Sequence, residues 1–134
     1  MSHDFMLWKT NIPLEDSEAQ TIALQLSETG MGEGVLPCEE HRSVATKLIE
    51  RWPDPAVGHE DDSPFASPLE FSETHLSVAL VPSRLWEVWP YLGELAKQFE
   101  LVMFDPQQKC IFLPPKLSRK RTALRAKKKS LLER

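Results

Sequence analysis

The sequence predicts an α+β domain: a mainly antiparallel sheet of about four or five strands packed with about three helices, followed by a basic C-terminal helical tail. Two observations carry that expectation. The hydrophobic period changes along the chain in the order β-α-α-β-β-α-β-β, so helices fall in two groups and strands come as neighbours. The length of 134 residues with 41% hydrophobic content suits one domain with a single core, and eleven prolines against five glycines imply rigid connections.

His3–Thr10 alternates loosely through Phe5, Leu7 and Trp8 and reads as the first strand, stopped by Pro13. Ser17 offers an N-cap for a helix over Glu18–Glu28 carrying Ile22, Leu24 and Leu26. Gly30, Gly32 and Gly34 follow it. A phosphate loop needs a strand before the glycines and a helix after them, whereas here a helix precedes and Glu33 would repel an anion. The glycines are therefore expected to end a helix.

Glu39–Trp52 repeats Val44, Leu48 and Trp52 at four-residue spacing and reads as the second helix, ended by Pro53. The stretch from Pro53 to Pro68 is proline-rich and acidic and is expected to form an ordered surface loop. Leu69–Phe71 and the apolar run Leu76–Val81 read as a hairpin. The strongest helix starts at Pro82-Ser83, with Ser83 as N-cap and an apolar face through Leu85, Val88, Leu92, Leu95 and Phe99. Pro90 is expected to kink it or divide it. Leu101–Phe104 and Cys110–Leu113 flank an Asp105-Pro106 turn and predict a second hairpin. In the tail, Leu117, Leu124 and Leu131 lie seven residues apart and suggest a helix with a thin apolar seam, capped by Ser118.

Charge divides the chain more sharply than hydropathy does. Nine basic residues and one acid follow Pro115, a net +8, which leaves seven basic and nineteen acidic residues, a net −12, in residues 1–115. The organisation expected is an acidic domain over 1–115 and a basic tail over 116–134, helical or partly disordered. Segregation of this kind points to partners rather than to catalysis.

No stretch approaches the roughly 20 apolar residues of a membrane-spanning helix, and Met1–Phe5 lacks the basic start of a secretion signal. With two cysteines far apart, Cys38 and Cys110, a cytoplasmic protein with reduced thiols is expected. Cys38 and His41 share a helical face, yet a nucleophilic pair also needs an orienting group and an oxyanion site. The four histidines match no ligand spacing, and His59-Glu60-Asp61-Asp62 lacks the calcium-loop pattern. No catalytic residue, metal or cofactor is expected. The same acidic loop suits presentation to a basic partner surface. Trp86 falls off its helix's apolar stripe, placing it either in solvent, where tryptophan frequently anchors interfaces, or over a neighbouring loop. The tail suits docking on protein slightly better than nucleic acid, because no aromatic residue interleaves its cations.

Leu48-Ile49-Glu50-Arg51-Trp52-Pro53-Asp54, then Glu60-Asp61-Asp62-Ser63-Pro64-Phe65, then Leu101-Val102-Met103-Phe104-Asp105-Pro106-Gln107 appear in order. This layout resembles a group of small bacterial proteins with the pattern R-W-P, D-D-S-P-W and L-V-x-[YF]-D-P-Q, some of which look like immunity proteins of polymorphic or contact-delivered toxins. The resemblance covers roughly residues 49–107, and Phe65 stands where the group has tryptophan. It implies an immunity protein that binds a cognate toxin and occludes its basic active-site cleft. The residues expected to meet that partner are Asp54, Glu60, Asp61, Asp62, Phe65 and Trp86. The alternative is a nucleic-acid-associated accessory protein that binds through the basic tail.

Overall fold

A computed structural model describes residues 2–52 and 63–132. The chain is α+β, with strands β1 (His3–Thr10), β2 (Val35–Leu36), β3 (Glu70–Phe71), β4 (His75–Leu80), β5 (Val102–Asp105) and β6 (Cys110–Phe112). Four helices accompany them among the described residues: α1 (Asp16–Thr29), α2 (Glu40–Arg51), α3 (Leu85–Gln98) and α4 (Pro115–Leu132). All strand pairings are antiparallel, in the order β3-β4-β1-β5-β6, with β2 added to the end of β1 through Lys9 and Thr10. β2 was not anticipated, since two residues are too few to show a period.

The pleat of β1 sorts the core. Phe5 and Leu7 point to one face with Leu76, Val78, Leu80 and Met103, where α2 and α3 cover them through Val44, Leu48, Val88, Leu92 and Leu95. Trp8 points to the other face with Val102, Phe104 and Ile111, where α1 covers them through Ala19, Ile22 and Leu26. The result is a helix–sheet–helix sandwich whose second helical layer reaches only the β1–β5–β6 half.

Helix ends follow local chemistry. α1 starts two residues earlier than a Ser17 cap would allow, because Glu15 and Glu18 form a capping box in which the Glu15 amide donates to Glu18 Oε1 at 2.9 Å. Gly30 ends the helix with φ 75°, its amide donating to the Leu26 carbonyl, so these glycines terminate a helix as expected. Ser83 does not cap α3. Pro82 instead begins a single 3-10 turn, Pro82–Arg84, that runs into the helix. Pro90 does not divide α3 either; the bond it lacks would have reached the carbonyl of Trp86 in the exposed first turn.

α4 corrects the expected apolar seam. It begins at Pro115 rather than after Ser118, a position where a missing amide costs nothing. Only Leu117 is buried, as part of the second core cluster with Leu14 and Ile22, while Leu124 and Leu131 are exposed. Arg121 donates to the Leu14 carbonyl at 3.3 Å, and Arg125 grips the Glu15 carboxylate, with Nε to Oε1 at 2.7 Å. From Thr122 onward every described residue lies in solvent.

Candidate partner-binding surface

α3 presents two flanks beside its buried stripe. On one, Trp86 is 74% exposed and meets Trp89 edge-on at 5.7 Å between ring centroids; Trp89 in turn meets Phe112 of β6 edge-on at 6.1 Å. The three rings form a ladder from solvent to the sheet margin. Beneath them lies an apolar groove of about 300 Å3 lined by Trp89, Gly93, Leu101, Met103, Phe112 and Leu113. β6 is the edge strand at this side of the sheet. The Ile111 amide of this strand donates to Asp16 Oδ1 at 2.9 Å, so the start of α1 covers part of the edge, and what this side offers a partner is the aromatic patch.

On the other flank Trp52 packs edge-on against Tyr91 at 5.5 Å, and the Arg51 guanidinium stands over both rings at 5.0 and 4.4 Å. Trp52 and Trp89 both sit at the core margin, half-buried, rather than deep within it. Trp52 is the last described residue before the acidic stretch. The chain is described again at Ser63, whose hydroxyl accepts the Phe65 amide at 3.1 Å, and the Pro64 carbonyl accepts the Val81 amide at 2.8 Å just ahead of α3. Trp52 is thus held against α3 and Pro64 against Val81 just ahead of that helix. Asp54, Glu60, Asp61 and Asp62 lie outside the described residues.

Phe65 requires a correction. It bridges to Leu80 and is 2% exposed, one of the largest fully buried side chains, so its ring fills the core and offers no face to a partner. Other residues of the recognised layout also work within the fold. Asp105 is buried, accepts the Gln107 and Gln108 amides at 3.0 and 3.2 Å, and bonds His3 Nε2 at 3.0 Å. Gln107 Oε1 accepts the Asp4 amide at 3.2 Å. The D-P-Q run is therefore a turn stitched to the first strand.

Cys38 and His41 do come together. The His41 ring is fully buried, with Nε2 donating to the Ser72 carbonyl, which leaves Nδ1 to accept from the Cys38 thiol at 3.3 Å. Burial pushes the Cys38 thiol up, so the sulfur is held as a proton donor rather than as a thiolate. Ser72 and Thr74 hydroxyls meet His75 Nδ1, and Thr74 also donates to the Gly30 carbonyl at 2.8 Å. These groups tie the β3–β4 turn to the ends of α1 and α2. None of the four cavities described here is lined by Cys38, His41 or His75. Among the described residues, no three histidines, cysteines or carboxylates converge as metal ligands.

The largest of these four cavities, about 580 Å3, lies over the half of the second sheet face that α1 leaves bare, between Gln20, Leu24 and Ser27 of α1 and Met6, Ser77 and Ala79 of the strands. Asp4 and Glu70 stand at its rim. Sequence reasoning missed both this cleft and the aromatic ladder. The three-residue spacing of Trp86 and Trp89 was the available signal for the ladder; Phe112 enters it only through tertiary pairing.

Comparison with protein families, with curated proteins and with solved structures finds no match for this chain. Among the described residues, no helix is long and apolar enough to cross a membrane.

Proposed function

We propose that the chain is a binding protein of the immunity type, which neutralises a cognate bacterial toxin by covering that toxin's basic active-site cleft. The observation that carries this reading is the exposed Trp86, held edge-on by Trp89 beside an apolar groove, on the helix whose other flank packs against Trp52 at the start of the acidic stretch. A net −12 body provides fast association with a cationic cleft, and buried aromatic area provides slow release. Toxins that act on nucleic acids or nucleotides present such clefts. Within this reading Asp54, Glu60, Asp61 and Asp62 steer the encounter, and Trp86 anchors it.

Co-expression with the toxin encoded beside this chain tests the proposal. Survival and co-purification are expected, with association slowed in the Glu60, Asp61 and Asp62 to alanine variant. Continued killing with no co-purification rejects it.

A second reading has one specific observation in its favour: α4 carries Lys127, Lys128 and Lys129 fully into solvent, as a nucleic-acid-binding arm would. Binding to DNA or RNA with a steep salt dependence, lost on charge removal along the whole arm, would favour it over the toxin-binding role.

A further inference from the structure

Where α4 leaves the body, β1 ends and α3 ends, a cavity of about 310 Å3 gathers cations from three separate elements: Lys9, Lys97, Lys116, Arg119 and Lys120. One carboxylate, Glu100, lines the same space. An acidic body would ordinarily neutralise such a group, and it does so only in part. Lys9 reaches Glu40 at 3.4 Å and Glu100 at 4.0 Å, and Lys97 reaches Glu94 at 3.5 Å. Lys116, Arg119 and Lys120 have no acidic partner among the described residues, although residues 1–115 hold nineteen carboxylates against seven cations and Glu15 and Glu40 lie close by in sequence to the elements that line the cavity. Like charges held together unneutralised repel one another, so a counter-anion in this cavity is worth more than one elsewhere on the surface.

The polar lining points the same way. Thr10 is 4% exposed and borders the cavity; its oxygen accepts the Ile12 amide at 3.1 Å, and its own proton has no acceptor among the described residues. The first-turn amides of Lys116 and Leu117 precede any intrahelical acceptor, and the positive end of an 18-residue helix adds to the field. No aromatic side chain lines the space, so nothing there stacks a nucleobase.

We propose that this cavity binds the phosphate group of a small phosphorylated anion, recognised through its charge and oxygens and not through a base. The site is independent of what the aromatic ladder of α3 meets. Titration of the full chain with pyrophosphate, followed by calorimetry and phosphorus NMR, tests it. Lys116→Ala combined with Lys120→Ala, both exposed and outside the core, should weaken binding by about tenfold or more, the scale of one lost charge-assisted contact. Glu100→Gln should tighten binding severalfold, a gain that misfolding cannot imitate. Lys127→Ala combined with Lys128→Ala should leave pyrophosphate affinity unchanged. Absence of binding at millimolar pyrophosphate, or equal affinity in the Lys116/Lys120 variant, would overturn the assignment. A polyuridine oligonucleotide that binds where pyrophosphate does not, with equal loss in the Lys116/Lys120 and Lys127/Lys128 variants, would overturn it too, by making the whole arm a polyelectrolyte.

Discussion

Replacing Trp86 by alanine separates the two demands placed on this residue. A tryptophan side chain carries roughly 250 Å2 of burial capacity. With 74% exposure, only about 65 Å2 is covered within the chain, about 1.6 kcal/mol at ~25 cal/mol/Å2. That figure is an upper one, since the unfolded chain also covers part of the ring. The remaining area, about 185 Å2, represents about 4.5 kcal/mol on the same scale if a partner covers it. Trp86→Ala should therefore cost about 1–2 kcal/mol of fold stability, including its edge-on contact with Trp89, and at least ~2 kcal/mol of partner affinity, about thirtyfold. Urea unfolding followed by circular dichroism gives the first quantity, and titration with the co-purified toxin gives the second. Phe65→Ala is the contrast: loss of this buried ring should cost about 3–5 kcal/mol of stability. A stability loss above about 3 kcal/mol for Trp86→Ala would place the ring in the fold's framework. Unchanged affinity would remove it as an anchor.

Leu117→Ala should destabilise by about 2–4 kcal/mol and expose α4 to proteolysis, whereas Leu124→Ala should change stability by less than ~0.5 kcal/mol; urea midpoints compare them directly. Gly34→Ala should cost more than Gly30→Ala in the same assay. Both have φ 75°, worth about 1 kcal/mol for a side chain, but only at Gly34 would the new Cβ meet Ile12 Cδ1, at 2.2 Å. Burial first, and the neighbouring His41 second, hold His75 below the ordinary histidine range. The unfolded chain then binds more protons below about pH 6.5, so stability is full above that value and falls as the medium is acidified towards the folded pKa. His75→Gln should flatten the profile of thermal midpoint against pH between about 5 and 7.

The sheet and its helices were legible because apolar period and side-chain burial coincide in them. Leu76, Val78 and Leu80 are buried on alternate positions of β4, and Val88, Leu92 and Leu95 on one stripe of α3. Helix starts were less legible, since Ser17 and Ser83 have the composition of caps but lost that role to Glu15 and to the turn at Pro82. The seven-residue spacing of tail leucines misled for a different reason: spacing describes a stripe but says nothing of whether another surface lies opposite it. Phe65 shows the same limit, because a proline-rich acidic context reads as surface although a bridge to Leu80 carries the ring inward. Trp86 was legible from its offset against a regular stripe. The cation-lined cavity was not, since Lys9 and Lys97 are remote from the tail in sequence and arrive there only through β1 and α3.

The way α4 departs from the rest of the molecule has a practical bearing on how the protein is handled. From Thr122 to Leu132 the helix advances roughly 15 Å at about 1.5 Å per residue, and Leu132 is 86% exposed. A fluorophore or affinity handle attached behind it would ride on a stiff stalk, clear of the strands and the aromatic ladder. Attachment ahead of His3 would instead crowd the imidazole that bonds Asp105 and disturb the hairpin turn it steadies.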